Sequence, residues 1–200
     1  YRAAFEAFLD RVRPDGLALL CCDDPATRAL MKKMHVKENK FLGYGSSPES
    51  NYQADEISLE NGTPQFRLRY RTGLNKPETL GSVTLSIPGH HNILNATAVL
   101  GTVHQLGLPL PEAINAIAKF TGAGRRFEIL GTANGTTVID DYGHHPTEIA
   151  ATIEAARSRY PHRQIWAVWQ PHTFSRTQNL KAGFVRALNL ADRVVVLKIY

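Results

Sequence analysis

The stretch VIDDYGHHPTEIAATIEAARSRY, residues 138–160, contains an apolar strand, a polar corner and a helix in that order. The corner gathers two acids, an aromatic ring, two imidazoles and a proline: Asp140, Asp141, Tyr142, Gly143, His144, His145 and Pro146. The simplest alternative is structural, with Asp141 or His144 capping the helix and Pro146 in its first turn. Capping needs one such residue, so the surplus of titratable groups indicates a functional corner.

Strands and helices alternate regularly on both sides of this corner. We predict strands at 136–141, 164–169 and 193–199, with helices at 147–159 and 177–189 between them. Strands separated by helices of this length are typical of right-handed βαβ units and a parallel sheet. The second half of the chain is therefore predicted to be an α/β domain.

The first half of the chain has a mixed pattern. A helix, the apolar strand 16–24 and a second helix to about residue 38 indicate part of a parallel α/β sheet. Short alternating strands separated by turn signals follow over 41–87 and predict an antiparallel extension. Helices are predicted at 88–108 and 109–120, and the glycine- and arginine-containing segment 121–130 reads as a linker. We place the domain boundary between residues 122 and 123.

The composition excludes several classes of protein. Hydrophobic residues make up 43% and charged residues 20% of the chain, which is typical of a soluble globular protein. No apolar run approaches the roughly 20 residues of a membrane-spanning helix, so no membrane insertion is expected. Cys21 and Cys22 are adjacent and form no disulfide framework, which favours the cytoplasm. The net charge of +5 is scattered apart from residues 31–40, so we expect anionic small molecules rather than nucleic acid.

A second polar corner follows the predicted strand 164–169. It carries the sequence QPHTFSRT, with an imidazole, hydroxyl groups and a guanidinium: Gln170, His172, Thr173, Ser175 and Arg176. Ligands of parallel sheets bind beyond the carboxyl ends of the strands. We therefore expect both corners to lie at one edge of one sheet. A metal site of Asp141, His144 and His145 is an alternative, but neighbouring side chains rarely converge on one ion, and we predict no metal ligands.

Two further clusters carry groups suited to a nucleotide. Asn92 and Asn95 lie three residues apart after His91, hence on one face of a helix, and amide side chains match the donor and acceptor of adenine. Capping by Asn92 is the structural alternative. Arg125 and Arg126 form a pair of guanidinium groups in the linker, suited to a phosphate or carboxylate between two domains. A solvated interdomain salt bridge is the alternative there.

The segments PGHHNILNA, GAGRRFE, IDDYGHHPTEI and QPHTFSRT together resemble the Mur ligases of peptidoglycan synthesis, in order and over essentially the whole chain. The resemblance implies that residues 1–122 are the C-terminal half of a central ATPase domain and residues 123–200 an incomplete Rossmann-like C-terminal domain. The fold class would then be α/β, a parallel-sheet domain with an antiparallel extension followed by a Rossmann-like domain. The UDP-binding domain, the phosphate loop and the Mg²⁺ ligands would lie upstream.

The resemblance also implies a reaction. ATP would phosphorylate the carboxylate of UDP-N-acetylmuramate, and the amine of L-alanine would attack the acyl phosphate to give an amide, ADP and phosphate. Attachment of a recycled tripeptide to the same sugar nucleotide, or nucleotide binding without catalysis, are the alternatives. The oligomeric state is not predicted.

The resemblance assigns residues to this reaction. The adenine pocket would contain His91, Asn92 and Asn95, with Arg126 at the phosphates and Asp141 at the ribose. The muramate carboxylate and the incoming alanine would face five side chains: Tyr142, His144, His145, His172 and Arg176. His144 and Arg126 would be catalytic, and Arg176 would pair with the alanine carboxylate. Thr173 stands where the family pattern usually has arginine, which removes one expected cation.

Overall fold

A computed structural model describes residues 2–34, 41–73 and 75–200, and the chain forms two compact units. The first comprises Tyr1–Ser58, Gln65–Thr84 and Asn92–Lys119, and the second Leu59–Pro64, Leu85–His91 and Phe120–Tyr200. Residues 35–40, which hold much of the predicted basic cluster, lie outside the described residues. The domain boundary between residues 122 and 123 stays a prediction.

The first unit is built on one mixed five-stranded sheet. Its strands are ordered β1-β2-β3-β4-β5, with β1, β2 and β3 parallel and the β3–β4 and β4–β5 pairs antiparallel. The predicted parallel sheet with an antiparallel extension is thus confirmed. The strands are β1 (Ala18–Cys21), β2 (Phe41–Gly45), β3 (Tyr52–Ser58), β4 (Gln65–Tyr70) and β5 (Glu78–Thr84). The helices are α1 (Arg2–Leu9), α2 (Pro25–Met34), α3 (His90–Gln105) and α4 (Leu110–Ala118).

A buried tyrosine fixes the carboxyl end of α3 to this sheet. The Tyr52 hydroxyl is 2.7 Å from His104 Nδ1 and accepts a hydrogen bond from the Gln105 amide, also at 2.7 Å. Burial raises the pKa of Tyr52 to about 12, so its hydroxyl keeps its proton at neutral pH. Gly101 permits the close approach, because a Cβ there would lie 3.0 Å from the Tyr52 ring.

The second unit contains two separate two-stranded sheets. The strands β6 (Glu128–Ala133) and β7 (Thr136–Asp140) form an antiparallel hairpin, whereas β8 (Trp166–Trp169) and β9 (Arg193–Val196) are parallel. Asn134 and Gly135 form the hairpin turn with φ values of 48° and 76°, the left-handed backbone that Asn-Gly favours in tight hairpins. The helices of this unit are α5 (Pro146–Arg159), α6 (Phe174–Asn179) and α7 (Lys181–Leu188).

We expected both polar corners to lie at one edge of one sheet. For the described residues this prediction is wrong. The hydrogen bonds of β7 go to β6, and those of β8 go to β9, so the corners follow strands of different sheets. The prediction of a linker at residues 121–130 does not include β6 or its pairing with β7. The predicted helix 177–189 is also two helices, because Leu180 ends α6 and caps α7.

The core of the second unit packs α5 against α7. Ile149 and Ile153 of α5 pack with Phe184 and Leu188 of α7, and the Trp169 ring lies 4.6 Å from that of Phe184. Burying an aliphatic or phenyl side chain of this size stabilises a fold by about 1.5–3 kcal/mol. The packing therefore holds α5 against α7. Within the described ranges, no helix has the length and apolar character needed to cross a bilayer.

Candidate functional site

Asp141 follows directly after β7 and ties the first corner to the preceding linker. Its Oδ1 accepts the backbone N–H of Gly143 at 2.7 Å, and its Oδ2 accepts that of Phe127 at 2.9 Å. A side chain at position 143 would disturb this arrangement, since a Cβ there would lie 2.8 Å from Asp141 Oδ1. Two charge-assisted hydrogen bonds therefore fix the orientation of the carboxylate.

The linker segment around Arg126 has a strained backbone that β7 and its neighbours hold in place. Arg125 and Phe127 have φ values of 57° and 50°, a left-handed conformation that costs about 1–2 kcal/mol per residue. The Arg125 N–H donates to Glu128 Oε2 at 2.7 Å, and the Arg125 carbonyl accepts the N–H of Tyr142 at 2.8 Å. Arg126 thus lies between two left-handed residues in a segment that is bonded to the end of β7.

Arg125 and Arg126 have different surroundings, although the sequence treats them as one pair. The Arg125 guanidinium donates to Asp140 Oδ2 at 3.1 Å. Both residues belong to the second unit. This ion pair is therefore not the interdomain salt bridge that we gave as the alternative interpretation of the arginine pair. The Arg125 guanidinium carbon also lies 4.9 Å from the centre of the Tyr142 ring, against 6.0 Å for Arg126. The Arg125 guanidinium is engaged by Asp140 and the Tyr142 ring, which leaves Arg126 as the guanidinium suited to a ligand.

Tyr142 presents a half-exposed ring next to charged and polar groups. Tyr142 is 52% exposed, and the His144 ring stands edge-on to the Tyr142 ring with a centroid distance of 5.4 Å. A half-exposed aromatic ring next to guanidinium groups and an imidazole suits a ligand that combines an apolar part with negative charge.

The two histidines of the corner have different tasks. His145 is the N-cap of α5, because its Nδ1 accepts the N–H of Thr147 at 3.3 Å. The structural alternative in the sequence analysis was a cap at Asp141 or His144, whereas the N-cap in the structure is His145. The His144 ring instead lies with Nδ1 3.1 Å from the carbonyl oxygen of Tyr142. Of the two imidazoles, that of His144 is therefore the better candidate for contact with a substrate.

Glu148 completes the corner and was not among the predicted site residues. Its Oε2 accepts the backbone N–H groups of His144 and His145 at 2.9 and 3.1 Å. Burial acts to raise the pKa of the Glu148 carboxyl, but these two donors, together with the nearby His144 and Arg126 side chains, hold the pKa below its usual range. The sequence signal was the glutamate three residues after the cap, the spacing of a capping box. Arg125 was predicted as half of the guanidinium pair, but its separate role in the corner has no sequence signal beyond its position beside Arg126.

His91 lies in the electrostatic neighbourhood of Asp141 and Arg126, and all three belong to the second unit. Burial lowers the pKa of His91, the Asp141 carboxylate opposes this effect, and the positive Arg126 adds to it. At neutral pH the His91 ring is therefore neutral and has one donor and one acceptor nitrogen. Three of the predicted nucleotide-binding residues are thus brought together.

Asn92 and Asn95 share one face of α3, as their spacing predicted. The Asn95 amide donates to Asn92 Oδ1 at 3.4 Å, and Asn95 is exposed. Both belong to the first unit. The Asn95 amide lies at the surface, which is compatible with the predicted contact with a base.

The second corner is held through its backbone. The Thr173 N–H donates to the carbonyl of Tyr200 at 3.1 Å, and the Tyr200 N–H donates to the carbonyl of Pro171 at 2.9 Å. The His172 ring lies 5.6 Å from the ring of Tyr200. Thr173 has a left-handed φ of 67°, which is unusual for a β-branched residue, and Arg176 lies in the last turn of the short helix α6.

Two family models match the chain. The model of the Mur ligase middle domain matches residues 1–103, and that of the Mur ligase glutamate ligase domain matches residues 125–199. Together they cover the two halves in which the sequence motifs were found.

Curated relatives match the chain along its full length. A UDP-N-acetylmuramate–L-alanine ligase of Acidithiobacillus ferrooxidans is 43% identical over 199 residues, which is 100% of this chain and 42% of the relative. The ligase of the same name from Caldanaerobacter subterraneus is 40% identical over 200 residues, again 100% of the chain and 42% of the relative. The chain thus spans about two fifths of the length of these relatives.

Solved structures give the same assignment. A UDP-N-acetylmuramate–alanine ligase from Thermotoga maritima matches with a TM-score of 0.74 and 28% identity, covering 100% of this chain and 41% of that one. A murein peptide ligase from Psychrobacter arcticus shares the fold with a TM-score of 0.60 at 20% identity, covering 98% and 46%. The family models, the relatives and the motifs agree, and the chain belongs to the Mur ligase family.

Proposed function

We propose that the complete protein catalyses the ATP-dependent ligation of L-alanine to UDP-N-acetylmuramate in peptidoglycan synthesis. The observation that carries this proposal is the hydrogen bond that ties Asp141 to the Arg126 segment through Phe127 in a Mur ligase chain, with His91 in the electrostatic neighbourhood of both. The relatives that are about 40% identical over the whole chain bear the name of that activity. Action in the cytoplasm on small molecules, without nucleic acid, belongs to the same proposal.

The nucleotide would contact residues from three segments. Asp141 accepts one backbone N–H on each carboxylate oxygen, and a carboxylate has about four lone-pair sites, so acceptors remain for ribose hydroxyl groups. Arg126 would bind the phosphates as a bidentate cation. His91, Asn92 and Asn95 would supply hydrogen bonds to adenine.

The acceptor substrates would lie against the rest of the corner. Phosphorylation of the muramate carboxylate gives an acyl phosphate, and attack by the amine of L-alanine forms a tetrahedral intermediate that releases phosphate. Arg126 would stabilise the developing negative charge, and His144 would orient the amine or accept its proton. Tyr142, His145 and His172 would border the muramate and alanine groups, and Arg176 would pair with the alanine carboxylate.

Mg²⁺ is expected to accompany ATP in this chemistry. Among residues 2–34, 41–73 and 75–200, no three or more His, Cys, Asp or Glu side chains are grouped so that they could hold a metal ion. We therefore assign none of these residues to Mg²⁺ and derive no step through it.

A ligation assay on the complete protein tests the proposal. Phosphate release is measured with UDP-N-acetylmuramate and ATP while L-alanine, glycine, L-serine and L-Ala-γ-D-Glu-diaminopimelate are offered in parallel. We expect strong preference for L-alanine. Arg176→Ala should raise the KM for L-alanine at least about tenfold, because the carboxylate loses a charged partner worth about 1.5–3 kcal/mol.

The other outcomes are equally informative. Preference for the tripeptide would assign the protein to cell-wall recycling, and no turnover with any acceptor would leave only nucleotide binding. An unchanged KM for L-alanine in Arg176→Ala would remove Arg176 from the alanine site.

A further inference from the structure

Glu148 is bonded to the segment that carries His144, although nothing in the sequence assigned it to the site. We propose that Glu148 is a positioning residue that fixes the orientation and the tautomer of His144 for the ligation reaction. This inference rests on the proposed function and deepens it. It concerns which nitrogen of His144 faces the substrates.

One oxygen atom of Glu148 connects three groups. Oε2 accepts the N–H of His144 at 2.9 Å and that of His145 at 3.1 Å, and it lies 3.6 Å from Nδ1 of the His144 ring. The backbone and the ring of His144 are therefore arranged around the same negative charge. A shift of this carboxylate would move both.

The surroundings of Nδ1 select one tautomer of His144. Nδ1 lies 3.1 Å from the carbonyl oxygen of Tyr142, which can only accept a hydrogen bond. The Glu148 carboxylate adds a second negative atom on the same side of the ring. Both neighbours favour the proton on Nδ1, which leaves the lone pair on Nε2. Nε2 is then the atom that can accept a hydrogen bond or a proton from the attacking amine.

Helix capping alone accounts for only part of this arrangement. A capping box needs the bond from the N-cap N–H, which is that of His145, to the Glu148 carboxylate. The second bond, from the N–H of His144, and the proximity of the His144 ring lie outside that motif. A residue that only caps α5 would change stability in the same way whether or not His144 is present, so the two roles are separable.

A double-mutant cycle on the complete protein separates them. Glu148→Ala should lower kcat about 10–100-fold, the effect expected when a reacting group is displaced by about 1 Å, with the KM for ATP changed less than about threefold. In the His144→Ala background, the same substitution should have no further effect on kcat, because the two residues act as one unit. Glu148→Gln should restore kcat to within about threefold, since its amide oxygen accepts the same N–H groups. Glu154→Ala, an exposed glutamate on the same helix, is the matched control and should leave kcat unchanged.

The ring ¹⁵N spectrum of histidine-labelled complete protein gives a second measurement that does not need activity. The His144 signals, identified by their loss in His144→Ala, should show the proton on Nδ1 in the wild type and a mixture of tautomers in Glu148→Ala. An equal loss of kcat from Glu148→Ala with and without His144 would overturn the inference, as would a wild-type ring protonated on Nε2. If the wild type ligates no acceptor, the proposed function fails, while the spectrum still decides whether Glu148 sets the tautomer.

Discussion

The two polar corners of the second unit resemble each other in sequence but are held in different ways. Residues 140–148 are held by carboxylates, since Asp141 and Glu148 each accept two backbone N–H groups. Residues 170–176 are held by main-chain bonds to Tyr200, and Thr173 keeps a left-handed backbone. The first corner is thus built by side chains of its own motif, with the linker, whereas the second depends on a segment some 25 residues further along the chain.

This difference affects how each corner responds to substitution. A charge-assisted hydrogen bond contributes about 1.5–3 kcal/mol, more than a bond between neutral groups. Loss of one carboxylate in the first corner therefore removes two strong bonds at once. Main-chain bonds of the second corner persist in any variant that keeps the backbone path.

The largest effect is expected at Asp141. Asp141→Ala removes the acceptor of the Phe127 and Gly143 N–H groups and should lower the free energy of unfolding of the second unit by about 3 kcal/mol. It should also lower ligation activity at least about 100-fold. Urea unfolding and amide hydrogen exchange at Phe127 and Gly143 measure the effect on the fold.

Asp140 provides the control for this prediction. Its partner Arg125 is largely exposed, and surface ion pairs contribute about 0–1 kcal/mol, so Asp140→Ala should cost no more than that. Equal losses at the two positions would show that the carboxylate of Asp141 does not hold the linker.

A smaller effect is expected at Gly143. Gly143→Ala places a Cβ 2.8 Å from Asp141 Oδ1 and should cost about 1–2 kcal/mol, because the carboxylate must move away from one of its donors. At Gly124, in the linker, a Cβ would meet only Glu128 Oε2 at 3.8 Å, an ordinary contact. Gly124→Ala should therefore change urea midpoints little. A neutral Gly143→Ala would mean that the corner tolerates displacement of Asp141.

The smallest effect is expected in the second corner, and it has the opposite sign. Thr173→Gly relieves a left-handed β-branched residue, a strain of about 1–2 kcal/mol, against about 0.5–1 kcal/mol of added chain entropy in glycine. We expect a gain of about 0.5 kcal/mol in thermal or urea unfolding. A clear loss of stability would show that the Thr173 side chain makes contacts that outweigh the strain.

Most elements of the fold follow from the sequence because they depend on local patterns. The strand ending at Asp140 and the helix that begins at Pro146 lie within one residue of their predicted bounds. The pairing of strands was less predictable, since it depends on partners outside the local pattern. Asn134-Gly135 is a strong hairpin signal, and the pairing of β6 with β7 could have been predicted from it.

The candidate site was predictable where residue type alone indicates chemistry. His91, Arg126 and Asp141 influence one another electrostatically, and their contacts with a nucleotide stay a prediction. Arg125 was predicted only as one of a pair with Arg126, and Glu148 was not predicted as a site residue, because their roles come from the backbone groups and rings that surround them. The roles of the individual site residues stay predictions until the variants are measured.

The bonds between the Arg126 segment and the end of β7 have a consequence for protein engineering. Phe127 is bonded to Asp141, and Arg125 to both Asp140 and Tyr142, so the segments 124–128 and 140–143 form one module. A chimera with its crossover between residues 128 and 140 would take the two segments from different parents and mismatch these contacts. A crossover before Phe120, where the second unit resumes, would transplant the module intact.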